Sequence, residues 1–291
     1  MKQINLVNKS KSDVWYEIIT FPDGEKHIKL EDIDRKESYN IVTRIKSGDD
    51  LFILAQVGDI LNRAEVYFNI TIYYLMSMRM DRVMNWNESF SLKVVANIIN
   101  SINAPAVQIF HPHSDNVFRY INNSHAFDVG VIDTLSPYKI ILDRYNTNET
   151  AFCFPDAGAA KRYGKEQHNR IVLSKKRDYA NKGAIIGMEV VETNGNLFNN
   201  GTFTGKNILI QDDLCDGGRT FIEAAKLLRE KYNPERIGIF VRHLVNRVGM
   251  INLVNTFDDV YVTNSYDEWN TEYNEVIWNE RKNFHVINII N

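Results

Sequence analysis

The sequence predicts an α/β protein made of two similar parallel-sheet domains, and three observations carry that prediction. Apolar runs of five to eight residues recur along the chain, each bounded by polar turn residues. Several are followed by stretches in which apolar residues return at helical spacing. The segments just beyond the runs are rich in acids, bases and histidines, as the ligand-binding strand ends of open α/β sheets are.

In the first half, "YNIVTRI" (39–45), "FNITIYYL" (68–75) and "AVQIF" (106–110) are the predicted strands, with helical spacing in "DDLFILAQVGDILNRA" and "ESFSLKVVANIIN". In the second half the predicted strands are "YKIIL" (138–142), "TAFCF" (150–154), "RIVLS" (170–174), "NILIQ" (207–211), "IGIFV" (237–241) and "DVYVT" (259–263). A boundary is expected near residues 132–146, where "DTLSPYK" has turn chemistry. This gives domains 1–137 and 138–291, with the extreme C-terminus returning to the first.

A chain of 291 residues suits two medium domains. Its 34 Lys+Arg against 37 Asp+Glu leave a net charge of -3, which creates no global field for nucleic acid or an anionic membrane. Small-molecule partners are therefore expected. Cys153 and Cys215 are the only two cysteines and lack metal-type spacing, the N-terminus "MKQINLVNKSKSD" lacks the apolar core of a signal peptide, and no apolar run approaches the roughly 20 residues that span a bilayer. A reducing cytoplasm is the expected location.

The segment "NILIQDDLCDGGRTFIEAAKLL" (207–228) raises a specific question of charge. Ile208, Leu209 and Ile210 predict a buried strand, while Phe221, Ala224, Ala225 and Leu228 recur on one helical face. Between them stand two adjacent acids, a third acid and two glycines. Neighbouring carboxylates repel and lose hydration on burial, so a hydroxyl-rich or cationic ligand is expected between them. The other strand ends read "RMDR" (79–82), "HPHS" (111–114), "PDAGAAKR" (155–162), "SKKRD" (174–178) and "RHLVN" (242–246). A phosphorylated ligand with a divalent metal accounts for that mixture.

"ILIQDDLCDGGRTF" resembles the phosphoribosyl-binding signature of type I phosphoribosyltransferases and of 5-phosphoribosyl 1-diphosphate (PRPP) synthetases. The second group fits better, because "FPDGE" (21–25), "RMDR", His113, "PDAGAAKR" and "SKKR" follow in that family's order over roughly residues 20–265. The resemblance implies two domains of type I phosphoribosyltransferase-like fold and ATP-dependent diphosphoryl transfer with Mg2+. It places Asp212 and Asp213 on the ribose 2- and 3-hydroxyls and the loop Asp216, Gly217, Gly218, Arg219, Thr220 around the 5-phosphate, Thr220 also offering an N-cap. Lys175 and Arg177 fall on the transferring phosphates, within a flap that runs on through "YANKGAIIG". Phe21, Asp23 and Glu25 fall on adenine, Arg79, Asp81 and Arg82 on the ATP ribose and phosphates, and His113 and Asp156 in the magnesium environment, His113 also bordering ATP. Because the "FPDGE" loop reaches a neighbouring subunit in that family, a homo-oligomer, dimer or hexamer, is implied.

The chain departs from the family pattern at Met80, at His111, and at the phosphate loop, where Asp-Thr-Gly-Gly-Thr becomes Asp216-Gly217-Gly218-Arg219-Thr220. Losing a Thr side chain opens space, and Arg219 adds a planar donor suited to a second phosphate. ADP-ribose is thus the expected acceptor, which points toward NAD metabolism, with ribose 5-phosphate as the alternative. A phosphoribosyltransferase and a non-catalytic regulator related to the synthetases remain as other classes. A phosphoribosyltransferase does not require "FPDGE", "RMDR" or "SKKR", and a regulator has no need to keep Lys175 and Arg177 with the acid pair.

Overall fold

The structure is a computed structural model that describes residues 1–127, 138–164, 167–178, 184–200, 202–269 and 283–290, without the side chains of 177–178 and 184–186. It divides into two compact units, residues 1–129 and 130–290. The boundary expected near 132–146 falls partly outside the described residues, as does the C-terminal residue expected to return to the first unit. Among the described residues no helix is long and apolar enough to cross a membrane.

The first unit holds a parallel sheet in the order β1 (Lys2–Asn5), β4 (Tyr39–Ile45), β5 (Phe68–Leu75), β6 (Ala106–Phe110), β7 (Ser124–Phe127). Helices α1 (Gly48–Arg63) and α2 (Ser91–Ser101) bury their apolar stripes, among them Leu54, Val57 and Leu61 on one and Leu92, Ala96 and Ile99 on the other. Ser47 and Asp50 start α1 as a reciprocal capping box. A separate antiparallel hairpin, β2 (Tyr16–Thr20) and β3 (Lys26–Leu30), is tied to α1 by Gln56, whose amide bonds the Ile28 N–H at 2.9 Å and the Lys26 carbonyl at 2.8 Å. A short helix, α3 (Val117–Tyr120), follows β6.

In the second unit the sheet order is β10 (Ala184–Asn194), β9 (Arg170–Asp178), β8 (Thr150–Phe154), β13 (Asn207–Cys215), β14 (Arg236–Leu244), β15 (Asp259–Thr263), β16 (Phe284–Ile287). All neighbours are parallel except β10 against β9. The two-residue strands β11 (Phe198–Asn199) and β12 (Thr202–Phe203) pair with each other apart from this sheet. One face packs on α4 (Lys139–Leu142) and α5 (Ala157–Tyr163), the other on α6 (Arg219–Tyr232) and α7 (Arg247–Thr256). The strand order reverses between β8 and β13. In doubly wound sheets that switch point leaves a crevice at the carboxyl ends of the two strands.

Three expectations are corrected. "YKIIL" is the helix α4 rather than a strand, because Tyr138, Ile141 and Tyr145 are buried at helical spacing while Ile140 is exposed. The "SKKRD" segment, read as a strand end, continues β9, since β10 supplies a partner strand up to the pair Asp178 and Ala184. The paired acids, placed beyond the predicted strand 207–211, still belong to β13, which stays in register with β14 to Cys215 and Leu244.

Candidate active site

The carboxyl end of β13 holds the acid pair. Asp213 is buried, and its backbone N–H donates to the Asp212 carboxylate at 2.9 Å, so the second residue of the pair braces the side chain of the first. Burial pushes the Asp212 carboxyl well above the usual carboxylate range; the negative charge of Asp213 adds to this, as does a hydrogen bond between the two side chains.

Beyond the pair the chain turns through Asp216 and Gly217 into α6. Gly218, in the left-handed region at φ 80, is the N-cap, and no side chain caps the helix. Thr220, expected as a cap, instead sits within the first turn. The first amides of α6 are therefore turned toward the loop, the arrangement that suits a phosphate. The side of the loop toward α7 is tethered. Asn252 donates to the Gly217 carbonyl at 2.8 Å, Asn246 donates to the Asp216 carboxylate at 2.9 Å, and the Val245 N–H donates to the Cys215 carbonyl at 3.0 Å. At Gly249 of α7 an added Cβ would lie 1.7 Å from the Asp216 carbonyl oxygen. Gly217 faces open space, with nothing within 4 Å of a Cβ built there. Arg219 is exposed.

Across the switch point, Asp156 follows β8 and caps α5 by accepting the Ala159 N–H at 3.0 Å. Its second oxygen lies 3.9 Å from Nζ of Lys175 on β9, and about half of its side chain remains exposed. The acid pair, Asp156 and Lys175 are thereby gathered at one end of one sheet. Arg177 lies two residues beyond Lys175 on β9, with its side chain outside the described residues, as is most of the flap segment "YANKGAIIG". Burial pushes the Cys215 thiol up to about 12 and raises Cys153 as well, so neither is a ready nucleophile.

The first unit carries the ATP-side candidates. "FPDGE" is the tip of the β2–β3 hairpin: the Phe21 N–H donates to the Glu25 carbonyl at 2.8 Å, Gly24 takes φ 91, and the Glu25 N–H donates to Asp23 at 3.1 Å. Phe21 is exposed at that tip. In "RMDR", Arg79 and Arg82 are exposed, whereas Asp81 is buried. The Asp81 carboxylate accepts from the Ser114 hydroxyl and from the Asn116 amide at 3.1 Å, which binds the turn after β5 to the "HPHS" loop after β6. His113 is half-buried in that loop. His111, where the family has an acid, is fully buried at φ 40 with its ring edge-on to Phe110 at 4.8 Å.

Sequence reasoning left one prominent residue without a role. Arg242 of β14 is fully buried, its guanidinium 3.8 Å from the ring centre of Tyr163 and 4.5 Å from that of Phe240, with one N–H donating to the Asp212 carbonyl at 3.4 Å. A charged residue inside the apolar run "IGIFVRHL" was the available signal. The tethering residues Asn246 and Asn252 gave no such signal.

Among the described residues no cluster of three His, Cys, Asp or Glu forms a metal cage. The half-exposed second oxygen of Asp156 nevertheless suits magnesium, which is commonly held by one or two carboxylates with substrate phosphates and water.

Parallel sheets with a switch-point acid pair and an uncapped glycine loop define an α/β protein of type I phosphoribosyltransferase-like fold. The fold is shared with the phosphoribosylpyrophosphate synthetase of Mycobacterium smegmatis, at a TM-score of 0.72 and 18% identity over 97% of this chain and 88% of that one. In sequence the chain is 27% identical to the ribose-phosphate pyrophosphokinase of Pyrococcus furiosus over 256 residues, covering 86% of this chain and 85% of that protein. It is 29% identical to the enzyme of that name from Mycoplasma pneumoniae over 234 residues, covering 77% and 66%. No family model matches the sequence. In sequence and fold the chain is thus similar to the ribose-phosphate pyrophosphokinases, and it is an enzyme of the pyrophosphokinase type, a transferase.

Proposed function

We propose that the enzyme transfers the β,γ-diphosphate of ATP to the anomeric hydroxyl of a 5-phosphorylated ribose. The observation that carries this reading is the acid pair beside an uncapped helix N-terminus at the switch point. A ribose vicinal diol fits two adjacent carboxyl groups, and a 5-phosphate fits the amides of a glycine loop. In the reaction the anomeric oxygen forms a bond to the β-phosphorus while the bond from that phosphorus to the α,β-bridging oxygen breaks. AMP leaves with the electron pair, and the hydroxyl proton passes to solvent.

Asp212 and Asp213 hold the diol, residues 216–220 hold the 5-phosphate, and Lys175 with Arg177 stabilises charge on the transferring phosphates. Positioning and cationic stabilisation supply most of the rate in such reactions. When bound, magnesium supplies charge neutralisation on the ATP oxygens, and Asp156 and His113 are the residues this reading assigns to it. Phe21, Asp23 and Glu25 serve the adenine, and Arg79 and Arg82 the ATP ribose and phosphates. In this reading the buried Asp81 acts by fixing the "HPHS" loop. The exposed Trp15, Ile18, Ile19 and Phe21 on the hairpin support a homo-oligomer in which a second copy covers it, a state that sedimentation of the protein would read.

ADP-ribose is the acceptor this reading favours over ribose 5-phosphate, because the open space at Gly217 and the exposed Arg219 suit a diphosphate that continues out of the loop. AMP release measured with ATP, magnesium and either acceptor tests both levels. No AMP release with either one removes the diphosphokinase reading. A larger kcat/KM for ribose 5-phosphate, or an Arg219→Ala variant that keeps full use of ADP-ribose, removes ADP-ribose alone.

A further inference from the structure

The acid pair is a charge problem that the fold must solve. Asp213 is 7% exposed and Asp212 lies against it, so the doubly ionised pair would be strongly disfavoured without a ligand. Arg242 stands directly behind. Asp213 lies between the register pairs Asp212–Val241 and Leu214–His243, which sets it alongside Arg242 on the neighbouring strand. The guanidinium is walled in by Tyr163 and Phe240 and donates to the Asp212 carbonyl. Its own backbone carbonyl accepts from the hydroxyls of Thr263, at 2.6 Å, and Ser265, at 2.9 Å. This residue is held from three strands' worth of neighbours, at a depth where an arginine is otherwise rare.

We propose that Arg242 is a positioning residue for the acid pair, its buried guanidinium fixing the Asp212 backbone and supplying the counter-charge beside Asp213. It rests on the reading of that pair as the ribose site. The pair then carries one proton and one negative charge in the empty protein. Asp213, beside the cation, keeps the charge, and Asp212 keeps the proton. A vicinal diol meets one donor and one acceptor, which matches hydroxyls that each donate and accept. Arg242 touches no reacting atom in this scheme.

Tyr163 supports the placement independently. Burial raises its hydroxyl to about 12, and the charges of Arg242 and Asp213 act on it in opposite directions, so both lie within electrostatic reach of one ring. Other ionisable groups stand on the elements packed around the pair. They are Cys215 and Asp216 on β13 and its loop, Arg162 on α5, Asp156 at the α5 cap with Lys175 behind it on β9, and His243 on β14, whose Nδ1 is 2.9 Å from the Ser265 hydroxyl. Arg242 is the one among these whose side chain bonds the pair's own backbone in the described contacts.

The test is a titration of carboxyl resonances in protein labelled with carbon-13 aspartate, without substrate, the pair being assigned with Asp212→Asn and Asp213→Asn. In the unmutated protein the lower of the pair's two steps is expected at or below the ordinary aspartate value of about 4. A lower step above that value overturns the proposal without any Arg242 variant. Arg242→Gln is expected to raise the lower step by at least about one pH unit, a tenfold change in proton affinity, while Arg242→Lys restores most of the difference. An unmoved step in a folded Arg242→Gln protein also overturns it. Because this readout needs no turnover, a protein that titrates as expected but releases no AMP would remove the proposed reaction and leave the role of Arg242 standing.

Discussion

Lys175 stands on an ordered strand, 26% exposed and 3.9 Å from the carboxylate of Asp156, so its ammonium is held near the switch point before any phosphate arrives. In the proposed reaction it meets charge that develops on the transferring phosphates. Lys175→Ala is therefore expected to lower kcat about a hundredfold or more with little change in ATP affinity. Steady-state kinetics beside equilibrium ATP binding checks this, and an effect confined to KM would remove the transition-state role. At this scale the sequence was informative where physical cost is visible in neighbouring letters. Asp212 and Asp213 announced themselves because adjacent acids after an apolar run need a reason. Arg242 did not, because its meaning depends on Tyr163, 79 positions earlier, and on the strand beside it.

Strands and helices were legible wherever one face alone decides burial. "FNITIYYL" and "TAFCF" coincide with β5 and β8, and "DDLFILAQVGDILNRA" differs from α1 by a residue at each end. Strands such as β10 and β16 were missed because their alternation is broken by glycine, charge or brevity. The helix α4 was misread because four apolar letters fit either period. The close approach of α7 to the glycine loop was likewise invisible before folding. It gives a prediction for Gly249, where a methyl group would collide with the Asp216 carbonyl oxygen. Gly249→Ala is expected to cost about 1–3 kcal/mol of stability and to weaken acceptor binding more than ATP binding. Thermal melts with acceptor titrations would read both, and a variant with normal acceptor affinity would mean that the loop tolerates displacement.

The second unit has a device for stability at the sheet end away from the acid pair. Asp259, 1% exposed, accepts from Tyr145 at 2.8 Å and pairs with Arg144 at 3.1 Å and Arg236 at 3.2 Å, with His285 at 3.9 Å. Burial alone would raise its carboxyl, but the nearby His285 ring, the hydrogen bond from Tyr145 and the two guanidinium charges outweigh that and lower it. A lowered folded value means that the stabilisation is complete above the unfolded value of about 4 and is lost as pH falls through the folded one. Asp259→Asn is therefore expected to unfold about 2 kcal/mol more easily at pH 7, with a gap to the unmutated protein that narrows below about pH 4. Denaturant melts across that range check it; a gap independent of pH would assign the loss to shape alone. The tethered loop has a different consequence for the molecule as a lineage. Because Asn246, Asn252 and Gly249 on the adjoining segment hold its path through backbone and carboxylate contacts, the side chains at positions 217 and 219 contribute little to keeping that path. In the proposed reading those two positions are thus free to change by mutation while the acid pair and the loop backbone keep their places, so a new acceptor can be tried by descendants without first losing the old architecture.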